Sequence, residues 1–282
     1  MQHLDGFAPL AAQYRGFILD LWGVVHDGVA PYPGAVDCLT RLRGAGKRVV
    51  LLSNAPRRAA VAAAGMTAMG IAPDLYDGIV TSGEVTHTLL RDRDAPGFSD
   101  LGRRLHHIGP ERDRNVFAGL DYAQASGPAG ADFVLNTGPD DTRTPTDVAA
   151  WFDELAACHA AGLPMVCANP DLEVIRGGAR VICAGALALH YVSLGGRVLW
   201  VGKPDPAVYR PVFATLALPP AQVLAVGDAL RTDIAGAAAA GVDACWVLGG
   251  IHGDDLAGPA AADAAAGAAG LAPRATLPAF RW

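Results

Sequence analysis

Four short apolar runs in this chain each stop at a small or ionisable residue, and that repeated ending constrains the fold more than any other feature. Phe17-Ile18-Leu19 leads into Asp20, and Val49-Val50-Leu51-Leu52 leads into Ser53. Val198-Leu199-Trp200-Val201 leads into Gly202-Lys203, and Val223-Leu224-Ala225-Val226 into Gly227-Asp228. Runs of this length, apolar on both faces, read as strands of a parallel sheet covered on both sides. In open α/β sheets ligands bind just beyond the carboxyl ends of the strands, so four polar strand ends should converge on one crevice. Between the first two runs, Pro33 to Gly46 places Val36, Leu39 and Leu42 at helical spacing, with Pro-Gly at its start and Gly at its end. Residues 17–53 therefore read as one β-α-β unit with a right-handed crossover.

The middle of the chain has its own rhythm. Leu105 to Ile108, Phe133-Val134-Leu135 and Met165-Val166-Cys167 are short strand candidates, with loop signals at Gly127-Pro128 and Gly138-Pro139. Thr146 to Ala161 reads as a helix with Trp151, Leu155 and Cys158 near one face. The expected architecture is α/β: a Rossmann-like parallel-sheet core in two parts, residues 1–102 and 183–282, with a smaller α/β domain inserted at 103–182. The Ala- and Gly-rich tail, 256–273, is compatible with a helix or a loose surface segment.

Composition narrows the function classes. Hydrophobic residues make up 51% of the 282 and charged residues 18%, which excludes a disordered chain. The net charge of −6 argues against a general nucleic-acid binder. No apolar run approaches the roughly 20 residues of a membrane span, and the first residues lack the sustained apolar stretch of a signal peptide. The five cysteines are odd in number and none is in CxxC spacing, so neither a disulfide framework nor a zinc site is expected. A cytoplasmic location follows as the expectation.

The strand ends carry the chemistry. A carboxylate at the mouth of a sheet, as at Asp20, can attack an electrophilic phosphorus, although a loop or helix-cap aspartate looks the same in isolation. Asp228 and Asp233 add two carboxylates after a buried strand. Magnesium takes one or two carboxylates plus waters and phosphate, so Asp20 with Asp228 meets its demand, with Asp233 as a ligand or an orienter of metal-bound water. The alternative makes Asp228 a helix N-cap and Asp233 a solvated acid of the first turn. Ser53-Asn54 offers a hydroxyl and amides at a helix start, a seat for phosphate or simply a cap. Lys203, restrained by Pro204 and Pro206, can neutralise phosphate and the crowded carboxylates.

Taken together and in this order, Asp20 with Gly23-Val24, Leu52-Ser53-Asn54, Gly202-Lys203-Pro204, and Gly227-Asp228 with Asp233 resemble the four motifs of the haloacid dehalogenase-like (HAD) hydrolase superfamily. The insertion between the second and third motifs, with Ala168-Asn169-Pro170-Asp171, is similar to class IIA, whose cap is of the C2 type. The resemblance implies Mg²⁺ dependence and hydrolysis of small phosphate monoesters, so the expected partner is a small phosphorylated metabolite; a homodimer is compatible with it. It further implies that Asp20 is nucleophile and metal ligand, that the Trp22 carbonyl and Asp228 are further ligands, and that Asp233 supports the metal or the lysine. Ser53 and Lys203 would hold the phosphoryl group, Asn54 would bind phosphate or position the nucleophile, and the Asn169-Pro170-Asp171 turn would close over substrate from the cap.

The chain departs from that pattern at Trp22, where phosphatases of the superfamily usually carry an aspartate that protonates the leaving oxygen. An indole N–H donates a hydrogen bond but does not exchange a proton at neutral pH. His26 is one candidate replacement, whereas His106 and His107 read as cap-strand residues. Arg143 and Arg176 are basic candidates for substrate selection. Three readings stay open: a phosphatase, a phosphate-ligand-binding protein of the same fold that has lost turnover, and a phosphotransferase.

Overall fold

The computed structural model describes residues 1–251 and 258–282. In chain order the strands are β1 (Gln2–His3), β2 (Gly16–Leu19), β3 (Arg48–Ser53), β4 (Gly78–Thr81), β5 (Arg104–Ile108), β6 (Ala123–Gln124) and β7 (Phe133–Asn136). They continue with β8 (Met165–Cys167), β9 (Glu173–Arg176), β10 (Ala179–Ile182), β11 (Val198–Trp200), β12 (Val223–Gly227), β13 (Asp243–Val247) and β14 (Ala275–Leu277).

Seven strands form a parallel core sheet in the order β1-β14-β13-β12-β2-β3-β4. Its centre explains the apolar runs. Phe17 and Leu19 of β2 pack with Leu39 and Leu51 on one face, while Ile18 packs with Val50, Val212 and Trp246 on the other. Alternation across a pleated strand, with helices over both faces, demands apolar residues at every position. Val226 pairs with Leu19, and Leu19 with Leu51. The residues that follow β12, β2 and β3 therefore emerge side by side, and the Asp20 N–H extends the ladder by donating to the Val226 carbonyl at 2.9 Å.

The insertion is a second parallel sheet, β11-β8-β7-β5-β6, with an antiparallel hairpin, β9-β10, beside it. Here one expectation is corrected. The run Val198–Trp200 is not a core strand; it pairs with β8, Val198 opposite Met165. The helix Ala184–Ser193 also belongs to the insertion, burying Leu187 and Tyr191 against Trp151, Leu155, Cys158 and Met165. The second boundary thus falls near Gly202 rather than at 182. Both sheets are parallel and apolar, so a half-buried edge strand of one carries the same pattern as a strand of the other. The expected helix at Thr146 to Ala161 is shorter, Phe152–Ala160, preceded by a 3₁₀ turn over Val148–Trp151. Asp147 caps that turn, its carboxylate accepting from the Ala149 N–H at 2.8 Å. In the tail, Pro259–Ala268 is a helix that buries Ala262 and Ala266; residues 256 and 257 lie outside the described residues.

Candidate active site

Lys203 is 3% exposed, and its ammonium donates to Asp20 Oδ1 at 2.8 Å, Asp233 Oδ1 at 2.5 Å and the Leu52 carbonyl at 3.2 Å. It reaches this position from the return segment after β11, not from the end of a core strand. Asp20, Asp228 and Asp233 are all buried, and one carboxylate oxygen from each lies within 4.8 Å of the others. A π-type turn over Leu230–Ile234 brings Asp233 back beneath Asp228, where its Oδ2 accepts from the Ala229 N–H at 3.1 Å.

Backbone placement explains the glycines here. Gly23 has φ +75°, and a Cβ on it would fall 1.8 Å from Asp228 Oδ2; a Cβ on Gly250 would fall 2.1 Å from the same oxygen. The Asp228 carboxylate is thus wedged between two bare backbones, and the Ile251 N–H donates to its Oδ2 at 2.6 Å. The Trp246 indole N–H holds the Asp228 carbonyl at 2.8 Å.

The charges do not balance. Burial raises the Asp20 carboxyl, and Asp233 and Asp171 raise it further against the opposing pull of Lys203. Burial likewise lifts Asp228 well above the carboxylate range, reinforced by Asp233 and Asp20. Burial pulls the Lys203 ammonium down, but Asp20, Asp233 and Asp171 together hold it well above its ordinary value. One ammonium faces three carboxylates. A hard divalent cation is what such an all-oxygen set would accept, and the donor chemistry fits Mg²⁺.

The other expected residues fall at graded distances from this cluster. The Ser53 hydroxyl, at the end of β3, accepts from the Ala55 N–H at 3.2 Å and keeps its own hydrogen available. Asn54 is fully engaged: its Oδ1 accepts from the Lys203 N–H at 2.8 Å, and its Nδ2 donates to the Lys203 carbonyl at 3.2 Å and to Asp171 Oδ1 at 2.9 Å. Its side chain ties three segments together, with both amide hydrogens and the amide oxygen already placed. Asn169 accepts from the Asp171 N–H at 3.0 Å and faces a cavity on the far side of Asp171 from Lys203. His26 is buried, accepts at Nδ1 from the Gly28 N–H at 3.0 Å, and is lowered to about 4 by burial. It lines neither cavity described below.

Two cavities, about 260 and 250 Å³, open on either side of a partition. Trp22, Asp171 and Val174 line both. The core-side cavity holds Asp20, Asp228 and Asp233, with Leu172 to Ile175 of the insertion as its roof. The cap-side cavity holds Arg57, Arg112, Asp113, Arg143 and Arg176. Most of its charge is already matched: Arg112 with Asp141 at 2.7 Å, Arg143 with Glu154 at 2.7 Å, and Arg57 with Asp113 at 3.6 Å. Two contributors escaped the sequence reading. Arg231 donates to the Pro170 carbonyl at 2.7 Å and ties core to insertion, and it lies within the fourth motif. Ser82 lies within reach of the Asn54 carbonyl at 2.7 Å and the Ala168 carbonyl at 2.5 Å; Gly78 to Thr81, an unread strand, would have pointed to it. Asp171, expected only as part of the Asn169-Pro170-Asp171 turn, borders both cavities.

Comparisons with known proteins identify the family. A family model described as haloacid dehalogenase-like hydrolase matches residues 17–123, and a HAD-hydrolase-like model matches residues 200–272. The chain is 30% identical over 242 residues to chronophin of Rattus norvegicus, covering 79% of this chain and 72% of that one. It is 28% identical over 250 residues to the ribonucleotide monophosphatase NagD of Escherichia coli K12, covering 86% and 91%. Among solved structures, a haloacid dehalogenase-like hydrolase from Brucella suis superposes with a TM-score of 0.83 at 33% identity, over 98% of this chain and 99% of that one. The chain belongs to the haloacid dehalogenase-like hydrolases. Its relatives place it among the class IIA enzymes of that family, one of which, NagD, is named a ribonucleotide monophosphatase.

Proposed function

We propose that this chain hydrolyses small phosphate monoesters in a Mg²⁺-dependent reaction, through a phosphoryl group carried on Asp20. The observation that supports it most is the buried ion cluster, in which a single ammonium bridges Asp20 and Asp233 beside Asp228. Asp20, the Trp22 carbonyl and Asp228 would hold the metal, with Asp233 behind them. Bound there, Mg²⁺ would supply charge neutralisation at the phosphoryl oxygens. Asp20 presents the nucleophilic oxygen, and Lys203 balances charge on the phosphoryl group while keeping Asp20 oriented. Ser53 donates its hydroxyl hydrogen to a phosphoryl oxygen. Asn54 fixes Lys203 through both of that residue's backbone polar groups and so acts as a positioning residue. The cap-side cavity, with Asn169, receives the rest of the substrate, and closure of the insertion over it excludes water. A small phosphorylated metabolite fits cavities of this size, which lie just below the usual range of about 300–1,000 Å³ for ligand pockets.

Trp22 supports a second reading, a phosphate-binding protein without turnover, because an indole takes the sequence position of the usual acid–base aspartate and cannot donate a proton. The two separate in one assay. p-Nitrophenyl phosphate should be hydrolysed with Mg²⁺, not with EDTA, and not by Asp20→Asn. Mg²⁺-dependent binding of a phosphate analogue with no turnover of any ester would favour the second reading.

A further inference from the structure

Resting on the phosphatase reading, a question of proton supply remains at the leaving oxygen. An alkoxide leaves poorly unless it is protonated as the P–O bond breaks, and a positioned acid there is worth about 10²–10⁴ in rate. Trp22 cannot supply that proton. The T-shaped contact of its ring with His26, centroids 5.4 Å apart, and its seat on Gly28, where a Cβ would fall 2.1 Å from the indole, hold it in place. His26 is buried away from both cavities, with Nδ1 already accepting. On the cap-side cavity, Asp140 and Asp141 are each bound to an arginine, and Asp113, which faces Arg57 at 3.6 Å without a hydrogen bond, lines that cavity and not the core-side one.

Asp171 differs from all of these. It comes from the insertion, yet it lines the core-side cavity together with Asp20 and Trp22, and it also borders the cap-side cavity. One carboxylate oxygen, Oδ1, accepts from Asn54 Nδ2 at 2.9 Å, and Asn54 in turn grips Lys203, whose ammonium holds Asp20. The second oxygen has no hydrogen-bond partner among the described residues. The loop that carries it is pinned from both domains. The Asp171 N–H donates to Asn169 Oδ1, its carbonyl accepts from the Gly185 N–H at 3.0 Å, and Arg231 of the core grips the adjacent Pro170 carbonyl. A Cβ on Gly185 would fall 2.3 Å from the Pro170 carbonyl oxygen, so the helix start fits this loop only with glycine there.

We infer that Asp171 is the acid–base residue of this enzyme, delivered by the cap to the boundary between nucleophile and leaving group. An oxygen of Asp20 attacks phosphorus, and the bond from phosphorus to the ester oxygen breaks. That oxygen keeps the bonding pair and takes the proton from Asp171, leaving as the alcohol. Asp171, now a carboxylate, accepts a proton from water as the water oxygen attacks the phosphorus of the phospho-Asp20. The phosphorus–Asp20 bond then breaks, releasing phosphate, and both aspartates return to their starting states. Burial, which raises the Asp171 carboxyl against the opposing pull of Lys203 and Asn54, favours the protonated form that the first step requires.

The test is leaving-group dependence in Asp171→Asn, which retains an oxygen acceptor for Asn54. Turnover of an alkyl phosphate such as glycerol phosphate should fall by about 10²–10⁴, while turnover of p-nitrophenyl phosphate, whose phenolate needs little help to depart, should fall by less than about tenfold. Asp171→Glu should recover part of the alkyl activity, and thermal unfolding of each variant reports whether the loop remains seated. Equal losses for both esters in a folded variant would assign Asp171 a positioning role and overturn the inference, as would an undiminished alkyl rate. If the wild type hydrolyses neither ester, the phosphatase reading itself fails, an outcome distinct from either of these.

Discussion

The two larger sheets of this chain are both parallel and line adjoining cavities, yet their strands finish differently. In the core, β2, β3 and β12 run into Asp20, Ser53-Asn54 and Asp228. In the insertion, β5, β7 and β8 run into Gly109-Pro110, Thr137-Gly138 and Ala168-Asn169, none of which ionises. The topology supplies a crevice in each case; the residues at its rim decide what happens there. On the core side, charge is buried and in excess. On the cap side, the charges are more exposed and largely paired, which suits a surface that selects and covers a ligand. Asp171 is the exception, a cap carboxylate turned toward the core's chemistry.

If this contrast is right, the core should be far more sensitive to substitution. Asp20→Asn should lower phosphate-ester turnover by at least about 10⁴-fold, as expected when a group acting as part of a covalent unit is removed. A steady-state assay with Mg²⁺ checks this, and a residual rate within a hundredfold of wild type would break the contrast.

Lys203→Met should destabilise the fold by about 3–5 kcal/mol, because it leaves buried carboxylates without their ammonium. The cap ion pair of Arg143 with Glu154 is partly solvated, so Arg143→Ala should cost about 1 kcal/mol or less. Urea unfolding of the two variants measures the difference directly. Equal losses would mean that the two sets of charges are not distinct.

His26 sharpens the comparison through pH. Its folded value of about 4 lies below the ordinary 6.5, so the neutral imidazole is the form the fold stabilises. Its contribution is fully present above about pH 6.5 and is lost as pH falls toward 4, where the unfolded chain binds the extra proton. The loss amounts to about 3 kcal/mol at most, and His26→Asn, which preserves an acceptor for the Gly28 N–H, should flatten the stability curve over that window. An unchanged slope would place the acid sensitivity elsewhere, with His107 of the cap, also lowered to about 4 by burial, the next residue to substitute.

The smallest effect is also the most specific. Asp228→Asn relieves repulsion among three buried carboxylates, so without metal it should melt a few degrees above wild type. It should also lose the stabilisation that Mg²⁺ gives the wild type through preferential binding to the folded state. A variant that melts lower without metal yet still responds fully to Mg²⁺ would remove Asp228 from the metal set.

Much of this site is legible in the sequence because the chemistry sits at strand ends, and buried parallel strands are continuous apolar runs. Asp20 and Asp228 can be placed together for that reason, and Ser53 at the end of the neighbouring strand. Lys203 reaches the site although its preceding run belongs to the other sheet; pattern alone does not tell an edge strand of one parallel sheet from a strand of another. Asn54 is identified at the site, but its full engagement by Lys203 and Asp171 depends on partners more than 100 positions away, which no local signal encodes. Asp171 is legible as part of a turn that closes over substrate but not as a proton donor, because that role depends on where the insertion folds back, a tertiary fact.

Trapping the covalent species tests the account most directly. Wild-type enzyme mixed with Mg²⁺ and a ³²P-labelled phosphate monoester, then quenched in acid within milliseconds, should carry label on the peptide containing Asp20, released by hydroxylamine and absent from Asp20→Asn. Rapid turnover with no protein-bound label at any quench time, or label on Asp20→Asn equal to wild type, would contradict it.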